Sequence, residues 1–453
     1  MLKYELTNSG IEWLEEIPRH WGVTSIKKEF QVIPSNVDKK TEDNEAEVKL
    51  CNYVDVYYND FITSEIDFMM ASASETEINK FQLKIGDVLI TKDSEDPFDI
   101  AVPALVKHSE DKLLCGYHLS IIRSINNRIE GSYLFWALKD EFIVTQLWRE
   151  ACGVTRWAIA SRHIKNSTIP FPPKPEQIAI TKYLGKACAD IERVVEIKQK
   201  QIENLQQQLK SIIHHTVTKG LNPKAEMKAS GIDWIGEVPK HWKVDRLKDI
   251  AELNYEVLGS QTPNDFVLRY IDISNVNYKG IISLENIEEI EFETAPSRAR
   301  RVIKKGDVIV SSVRPNLQAV AFIELDDDNL ICSTGFNVIK AKVHIALPKY
   351  LHQFILSEYS KQYFEKTAKG VGYPAVSDRD FNTLYLFLPP VNEQETIIKY
   401  LDDEINKVKA AETKIEKQIE VILNYKKSLI HEVVTGKKQV YGLTKEKQQM
   451  QTA

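Results

Sequence analysis

Two arginine-bearing segments of this sequence carry the side chains best suited to bind an anion or a hydrogen-bonding surface. The first is GVTRWAIASR at 153–162, which holds Arg156, Trp157 and Arg162. A guanidinium offers paired donors that match guanine or a phosphate, so Arg156 and Arg162 are candidate binding residues. The alternative is structural, with Trp157 a core side chain and Arg162 part of a surface ion pair.

The second segment is a basic run in the other half of the chain. Arg298, Arg300 and Arg301 are followed by Lys304 and Lys305. A charge run is usually a solvated face, so solvent exposure and contact with phosphate are competing interpretations of equal weight. The candidate binding residues of this half are Arg298, Arg300, Arg301, Arg314, Tyr373 and Arg379.

Motifs for catalysis, cofactors or metals are missing from the sequence. We find no GxxxxGK[ST], no GxGxxG after a strand, no HExxH and no Cys/His cluster. His214 returns in a later copy as His431, but the neighbouring His215 is replaced by Glu432, which favours a packing or solvated role over catalysis. The sequence therefore predicts no catalytic residue, no cofactor and no metal site.

Composition places few limits on function. The 453 residues are 43% hydrophobic and 27% charged, and the net charge of −6 gives no support for nucleic-acid binding unless basic residues share one face. Five cysteines without a CxxC pair are typical of a reducing cytoplasm. Apolar runs are short, so we expect no membrane span.

The sequence is a duplication. The segment 9–28 returns at 230–249, and 169–184 returns at 386–401. Identical residues include the Trp, Pro, His and Trp of the first pair and the Pro-Pro, Glu-Gln and Tyr-Leu of the second. The copies diverge between these anchors, which indicates one fold that presents two different surfaces.

Positions of the two copies can be matched one by one. Arg162 corresponds to Arg379, and Arg156 corresponds to Tyr373. An arginine that both copies share suits a phosphate contact or a structural role better than sequence reading. The tryptophans that repeat with the anchors are predicted packing residues that tie each module to its helix; they are Trp13, Trp21, Trp234 and Trp242.

A long amphipathic helix ends each copy. After Pro172-Pro173 and Pro389-Pro390, apolar residues recur at alternating spacings of four and three, with eight of ten positions apolar in each copy. These seam positions are Leu184, Cys188, Ile191, Val195, Lys198, Ile202, Leu205, Leu209, Ile212 and Thr216, and Leu401, Ile405, Val408, Glu412, Ile415, Ile419, Ile422, Lys426, Leu429 and Val433.

The two seams predict that helix 175–219 pairs with helix 392–436. Pro175 suits a first helical turn, Asn392 is a predicted N-cap, and Gly220 and Gly436 are predicted helix stops. Each helix would be about 65 Å long, and a two-fold relation of the copies would make the pair antiparallel. The alternative is two separate helices, each docked on its own module.

Shorter patterns predict mixed modules. Predicted strands are Val48–Val54, Asp87–Thr91, Leu119–Arg123, Phe266–Ile273, Asp307–Ser311 and Phe336–Lys340, and predicted helices are Tyr133–Trp148 and Tyr350–Lys366. The predicted fold class is therefore α+β: two mixed α/β modules joined by two long helices that form an antiparallel coiled coil, with an internal pseudo-two-fold repeat.

The repeated pattern W…P.HW, a variable module, G…R…LPP..EQ..I..YL and a long helix resembles the specificity subunit of type I restriction-modification systems, over nearly the whole chain. The resemblance implies two target recognition domains, no catalytic activity, and a complex with double-stranded DNA, two methyltransferase subunits and restriction subunits. The implied division is 1–172 as target recognition domain one, 173–220 as helix one, 221–390 as domain two, 391–437 as helix two, and 438–453 as a polar tail.

The resemblance also implies that each domain reads one half of an asymmetric bipartite site while the helices set the spacer. Modules about 65 Å apart can reach major grooves one to two turns apart at roughly 34–36 Å per turn. A non-catalytic adaptor that binds proteins is the alternative, and the net charge of −6 favours it. A nuclease or methyltransferase of unfamiliar type is a weaker third hypothesis.

Overall fold

The computed structural model describes residues 4–126, 128–232, 235–276, 282, 287–313, 319–370 and 374–441. These form two compact units. Unit 1 combines residues 1–198 with 417–453, and unit 2 is residues 199–416. Each unit therefore holds one globular module, the beginning of one long helix and the end of the other.

Unit 1 contains short strands and helices before its long helix begins. Its strands are β1 (Leu6–Asn8), β2 (Glu16–Pro18), β3 (Gly22–Ser25), β4 (Phe30–Pro34), β5 (Ala46–Cys51), β6 (Phe61–Ile62), β7 (Met69–Ala73), β8 (Val88–Thr91), β9 (Asp93–Ser94), β10 (Pro103–Val106), β11 (Leu113–Cys115), β12 (Leu119–Ser124), β13 (Cys152–Gly153), β14 (Trp157–Ala158) and β15 (Thr168–Phe171). Its short helices are α1 (Ile26–Glu29), α2 (Tyr53–Tyr57), α3 (Glu75–Phe81), α4 (Gly131–Leu138), α5 (Glu141–Trp148) and α6 (Ser161–Asn166). The long helix α7 (Lys174–Lys219) follows.

Unit 2 repeats this organisation. Its strands are β16 (Met227–Ala229), β17 (Glu237–Pro239), β18 (Lys243–Arg246), β19 (Ala251–Leu253), β20 (Val267–Ile271), β21 (Glu288–Glu291), β22 (Ala299–Val302), β23 (Val308–Ser311), β24 (Val320–Phe322), β25 (Leu330–Ser333), β26 (Phe336–Ala341) and β27 (Tyr385–Leu388). Its helices are α8 (Leu247–Ile250), α9 (Pro348–Leu356), α10 (Glu358–Thr367), α11 (Asp378–Thr383) and the long α12 (Val391–Val434).

The two modules share the strand order of their main sheet. The order β4-β12-β8-β10 in unit 1 matches β19-β26-β23-β24 in unit 2, and the parallel pair β5-β11 matches β20-β25. Unit 1 adds β6 at one sheet edge and the small sheet β13-β14-β9. The predicted fold class is confirmed, and the duplication extends from the sequence to strand order.

Side chains of the central strand alternate between two hydrophobic cores in each unit. In β8, Val88 and Ile90 pack with the helices of unit 1, whereas Leu89 packs with the second sheet. In β23, Val308 and Val310 pack with helices and Ile309 with the second sheet. Successive side chains of a strand point to opposite faces, so a sheet covered on both sides needs a continuous apolar strand.

Several predicted elements end earlier than expected. The strand predicted at Val48–Val54 stops at Cys51, because Asn52 and Asp55 form a capping box that starts α2. The helix predicted at Tyr133–Trp148 is two helices, because the Asp140 carboxylate accepts from Phe142 and Ile143 N–H groups and caps α5.

The equivalent helix of unit 2 is divided in the same way. The prediction of one helix over Tyr350–Lys366 is wrong, because Ser357 accepts from the N–H of Ser360 and begins a second helix there. One element also differs in kind between the units. Where Ser74 and Glu77 cap α3 in unit 1, unit 2 has Pro296 and then strand β22 on β25.

The long helices have the predicted ends, with one exception. Gly220 at φ +77° follows α7, and Gly436 at φ +76° lies two residues past α12. A side chain at Gly436 would also collide with the ring of Pro18 at 2.4 Å. Asn392 is not the N-cap, because the Pro390 carbonyl already accepts from Glu393 and Gln394 N–H groups and α12 starts at Val391.

The two helices pair antiparallel within each unit. All twenty seam positions are buried or half-buried. Leu184 and Cys188 share the unit 1 core with Leu429 and Val433, while Leu401 shares the unit 2 core with the C-terminal turns of α7. Each module thus packs against the end of the other copy's helix as well as its own, and separately docked helices are excluded.

Polar seam residues find partners on the opposite helix. As the residue number rises along α7, the partner's number falls along α12, which fixes an antiparallel register. The pairs are Glu192 with Lys426 at 2.6 Å, Lys198 with Gln418 at 2.6 Å, and Gln206 with Glu412 at 2.8 Å. Polar residues in such a seam specify register and partner at some cost in stability.

None of the helices in the described parts of the chain has the length and apolar composition that crossing a membrane requires.

Candidate nucleic-acid interface

A carboxylate in the first turn of each long helix holds the segment that opens each copy. In unit 1, Glu176 accepts from the indole N–H of Trp21 at 3.0 Å and lies 2.7 Å from Nε2 of His20. In unit 2, Glu393 accepts from Trp242 at 3.1 Å. A buried indole donor needs such a partner. These contacts fix each module on its helix and thereby position its loops.

The structure describes three of the four repeated tryptophans. Trp21 and Trp242 tie module to helix as predicted. Trp13 packs half-buried against the unit 1 core, and Trp234 lies outside the described residues.

The GVTRWAIASR segment folds into the hairpin β13-β14, which adds β9 as a third strand. This brings Arg156 beside Asp93. The Oδ1 atom of Asp93 accepts from Nε at 2.8 Å and lies 2.6 Å from Nη2. Trp157 is half-buried against the unit 1 core, so the structural alternative holds for the tryptophan.

The sequence missed three other residues of this cluster. His118 places Nδ1 2.5 Å from Oδ1 of Asp93, and burial lowers the pKa of His118 below its ordinary value, so the imidazole is neutral at pH 7. Tyr53 and Tyr57 stack at 5.5 Å beside it. The run YVDVYY signals the tyrosines through its aromatic content, but no sequence spacing connects them with Arg156.

Arg162 and Arg379 occupy the same place in the two modules. Each is exposed at the second position of a short helix, α6 or α11. The Nε atom of Arg162 donates to His163 at 2.9 Å. Their equivalence in the fold matches their equivalence in sequence, as a shared phosphate contact requires.

The basic run of module two does not form one patch. Arg298 is paired with Asp272 at 2.7 Å, and Arg300 lies 4.6 Å from the ring centre of Phe292. Arg301 turns inward and donates to Asn337 and to a backbone carbonyl. Burial lowers the pKa of Arg301. Neighbouring side chains of a strand point to opposite faces, so β22 separates residues that are adjacent in sequence.

The remaining candidates, Arg314 and Tyr373, lie outside the described residues. The backbone beside them is informative, because Val313 bridges Ala375. The equivalent contact in unit 1 pairs Asp93 with Ala158. Both modules therefore bring the same two chain segments together at the end of the central strand. In the described parts of the chain, no group of three His, Cys, Asp or Glu side chains could hold a metal ion.

The chain matches the family described as "Type I restriction modification DNA specificity domain" over residues 18–207 and 239–421. It is 23% identical over 435 residues to the type I restriction enzyme MjaVIII specificity subunit of Methanocaldococcus jannaschii, covering 94% of this chain and 95% of that one. It is 28% identical over 170 residues to the HindI specificity subunit of Haemophilus influenzae, covering 36% of each.

A solved structure from work on complex assembly and conformational transition of the type I restriction-modification system has a similar fold. The TM-score is 0.65 at 15% identity, and the match covers 92% of this chain and 98% of that chain. The two family segments take up most of the sequence, and each segment spans one module and most of one long helix. The chain belongs to the type I restriction modification DNA specificity family, whose members are the non-catalytic, target-recognising subunits of type I restriction-modification systems.

Proposed function

We propose that each module of this specificity subunit reads one half of an asymmetric, bipartite DNA site. The observation that supports this is the contrast between a repeated frame and divergent loops. Strand order and the carboxylate–indole joints repeat, whereas the sequences between the shared anchors differ, with Arg156 in one copy and Tyr373 at the matched position of the other. Unlike loops on one frame suit unlike half-sites.

The partners in this proposal are double-stranded DNA, two methyltransferase subunits docked along the helix pair, and restriction subunits that join through the complex. The working division is module one at 1–172, module two at 221–390, helices at 173–220 and 391–437, and a tail at 438–453. The site of action is the cytoplasm. Because the net charge is −6, affinity for DNA must come from local basic side chains and from joining two readers in one chain.

DNA contacts are proposed for Arg156, Arg162, Arg298, Arg300, Arg314, Tyr373 and Arg379. Arg301 was predicted with them, but its inward donors suit a structural role in module two. Arg162 and Arg379 are assigned to phosphate, because both copies present them identically.

The salt dependence of DNA binding distinguishes a subunit that recognises DNA from an adaptor that binds proteins. The complex assembled with its methyltransferase subunits should bind its methylated motif with an affinity that falls roughly 40-fold or more between 50 and 200 mM salt, the loss expected for three neutralised phosphates. A duplex with one half-site scrambled is the matched control and should bind more weakly at every salt concentration. Equal binding to both duplexes with little response to salt would contradict the proposal and favour the adaptor.

A further inference from the structure

Two of the candidate arginines share an arrangement with a carboxylate. The side chain of Arg156 is 46% exposed and that of its partner Asp93 only 14%. The side chain of Arg298 is 56% exposed and that of Asp272 only 23%. In each case the carboxylate lies against the module and the guanidinium extends from it towards solvent.

The donors that Asp93 leaves open have a definite geometry. Its Oδ1 atom occupies the edge of the Arg156 guanidinium formed by Nε and Nη2. A guanidinium has five N–H donors in a planar fork. Nη2 also lies 3.2 Å from Nδ1 of His118, so the donors that the Asp93–His118 pair leaves open are those on the Nη1 side of the outer edge. An arginine that presents its outer edge to solvent in this way can donate to the O6 and N7 acceptors of guanine in the major groove.

Each carboxylate is itself held in place. His118 lies 2.5 Å from Oδ1 of Asp93. Asp272 caps a short helix through a capping box with Asn275 and accepts a long hydrogen bond of 3.4 Å from Tyr270. A guanidinium supported in this way loses less rotamer freedom on binding, which improves both affinity and discrimination.

Arg123 of module one does not have this open edge. Arg123 is 18% exposed, and it donates to both oxygens of Asp87 and to a backbone carbonyl. The contrast separates arginines that bind the protein itself from those that offer donors outward.

The two supported arginines come from different places in the shared fold. Asp93 follows β8, whereas Asp272 follows β20, where unit 1 has Asn52. The duplicated frame therefore does not force the two modules to read equivalent positions of their half-sites.

We propose that Arg156 and Arg298 are guanine readers, one in each module, and that Asp93 and Asp272 position them. The proposal rests on the proposed function of the modules. It requires that each half-site contain at least one G·C pair, and that the supported arginine recognise the major-groove edge of that guanine.

The test replaces arginine by lysine, which keeps the charge but loses the paired donors. In the complex with methyltransferase subunits, Arg156→Lys should lose about 10- to 100-fold of its discrimination for one G·C pair, while binding to a duplex already changed at that pair stays the same. Substituting 7-deazaguanine, which lacks N7, at each guanine of the half-site identifies the position. It should weaken the parent complex at one guanine and have no effect there on the variant.

Arg19→Lys is the matched control, because Arg19 is an exposed arginine paired with Glu5 at 3.3 Å and is not among the proposed DNA contacts, so the motif should stay unchanged. Asp93→Asn should reduce discrimination at the same guanine as Arg156→Lys. An intact motif half from module two shows that each variant complex is folded. A motif unchanged in Arg156→Lys, or a module-one half-site made only of A·T pairs, would overturn the guanine-reader proposal while leaving bipartite recognition standing.

Discussion

Inserting one heptad into each long helix is expected to lengthen the preferred spacer between half-sites by about three base pairs. Within unit 2, Gln206 of α7 and Glu412 of α12 are hydrogen-bonded across the seam, so insertions beside these residues extend both helices at matched positions. Seven residues preserve the seam pattern and add about 10.5 Å at roughly 1.5 Å per residue. Three base pairs also turn the second half-site around the DNA axis, so methylation of the longer site should be weaker than the parent's.

A plasmid library with every spacer length measures this effect. The parent and the variant are each assembled with methyltransferase subunits, and methylated spacers are counted by sequencing. An insertion in α7 alone is the control, because it shifts the seam out of register with α12 and should abolish assembly rather than change the spacer. An active variant that still prefers the parental spacer would mean that the helices do not set the distance.

Gln177→Leu is expected to lower the free energy of unfolding of unit 1 by roughly 2–4 kcal/mol, since buried groups left unpaired cost about 1–3 kcal/mol each. The Gln177 side chain is fully buried. Its Oε1 accepts from the N–H of Glu130 at the start of α4, and its Nε2 donates to the carbonyls of Pro172 and Arg128. Leucine fills similar space but pairs none of these groups.

Amide hydrogen exchange measures this loss of stability in the elements that Gln177 joins. Amides of α4 and of the first turns of α7 should exchange about 30-fold faster or more in Gln177→Leu. Gln394→Leu is the equivalent change in unit 2, where Gln394 contacts Leu347, Ile345 and Pro389, and it should affect that unit instead. Gln201→Leu on the exposed surface of α7 is the control. Equal exchange in Gln177→Leu and Gln201→Leu would contradict the role of the buried amide.

Periodic and repeated features of the fold were predictable from sequence. The seam follows from spacing alone, since each position has the same environment on the facing helix. Gly220 and Gly436 follow from the positive φ that a helix end requires. The Glu-Gln dipeptide after each Pro-Pro pair was recognisable as a repeated match, but the sequence did not show what its side chains contact. Only the structure shows that Glu176 binds an indole and Gln177 the start of α4.

Competition between alternative local hydrogen bonds explains why some predicted helix boundaries are wrong. Asp140 and Ser357 lie within patterns that are apolar enough for one continuous helix, but their side chains cap a new helix. Asn392 has an N-cap side chain, yet the preceding proline carbonyl already begins the helix. Such outcomes depend on which hydrogen bond forms, and periodicity does not specify that.

The candidate site was harder to predict because it depends on distant pairings. Arg156 reaches Asp93 through β14 pairing with β9, and His118 reaches it because the N–H of Lys92 donates to the His118 carbonyl. Conversely, Arg300 and Arg301 are adjacent in sequence and separated in space. Composition identifies arginine as a ligand for DNA, but strand register decides which arginines face outward.

Sequencing of methylated bases tests the central claim most directly. DNA exposed to the complex of this subunit with its methyltransferase should carry methylation at one asymmetric motif of two separated halves. Replacing residues 1–172 with the equivalent module of another specificity subunit should change one half and preserve the other half and the spacer. A motif that is continuous, or that stays the same after the exchange, would contradict the account.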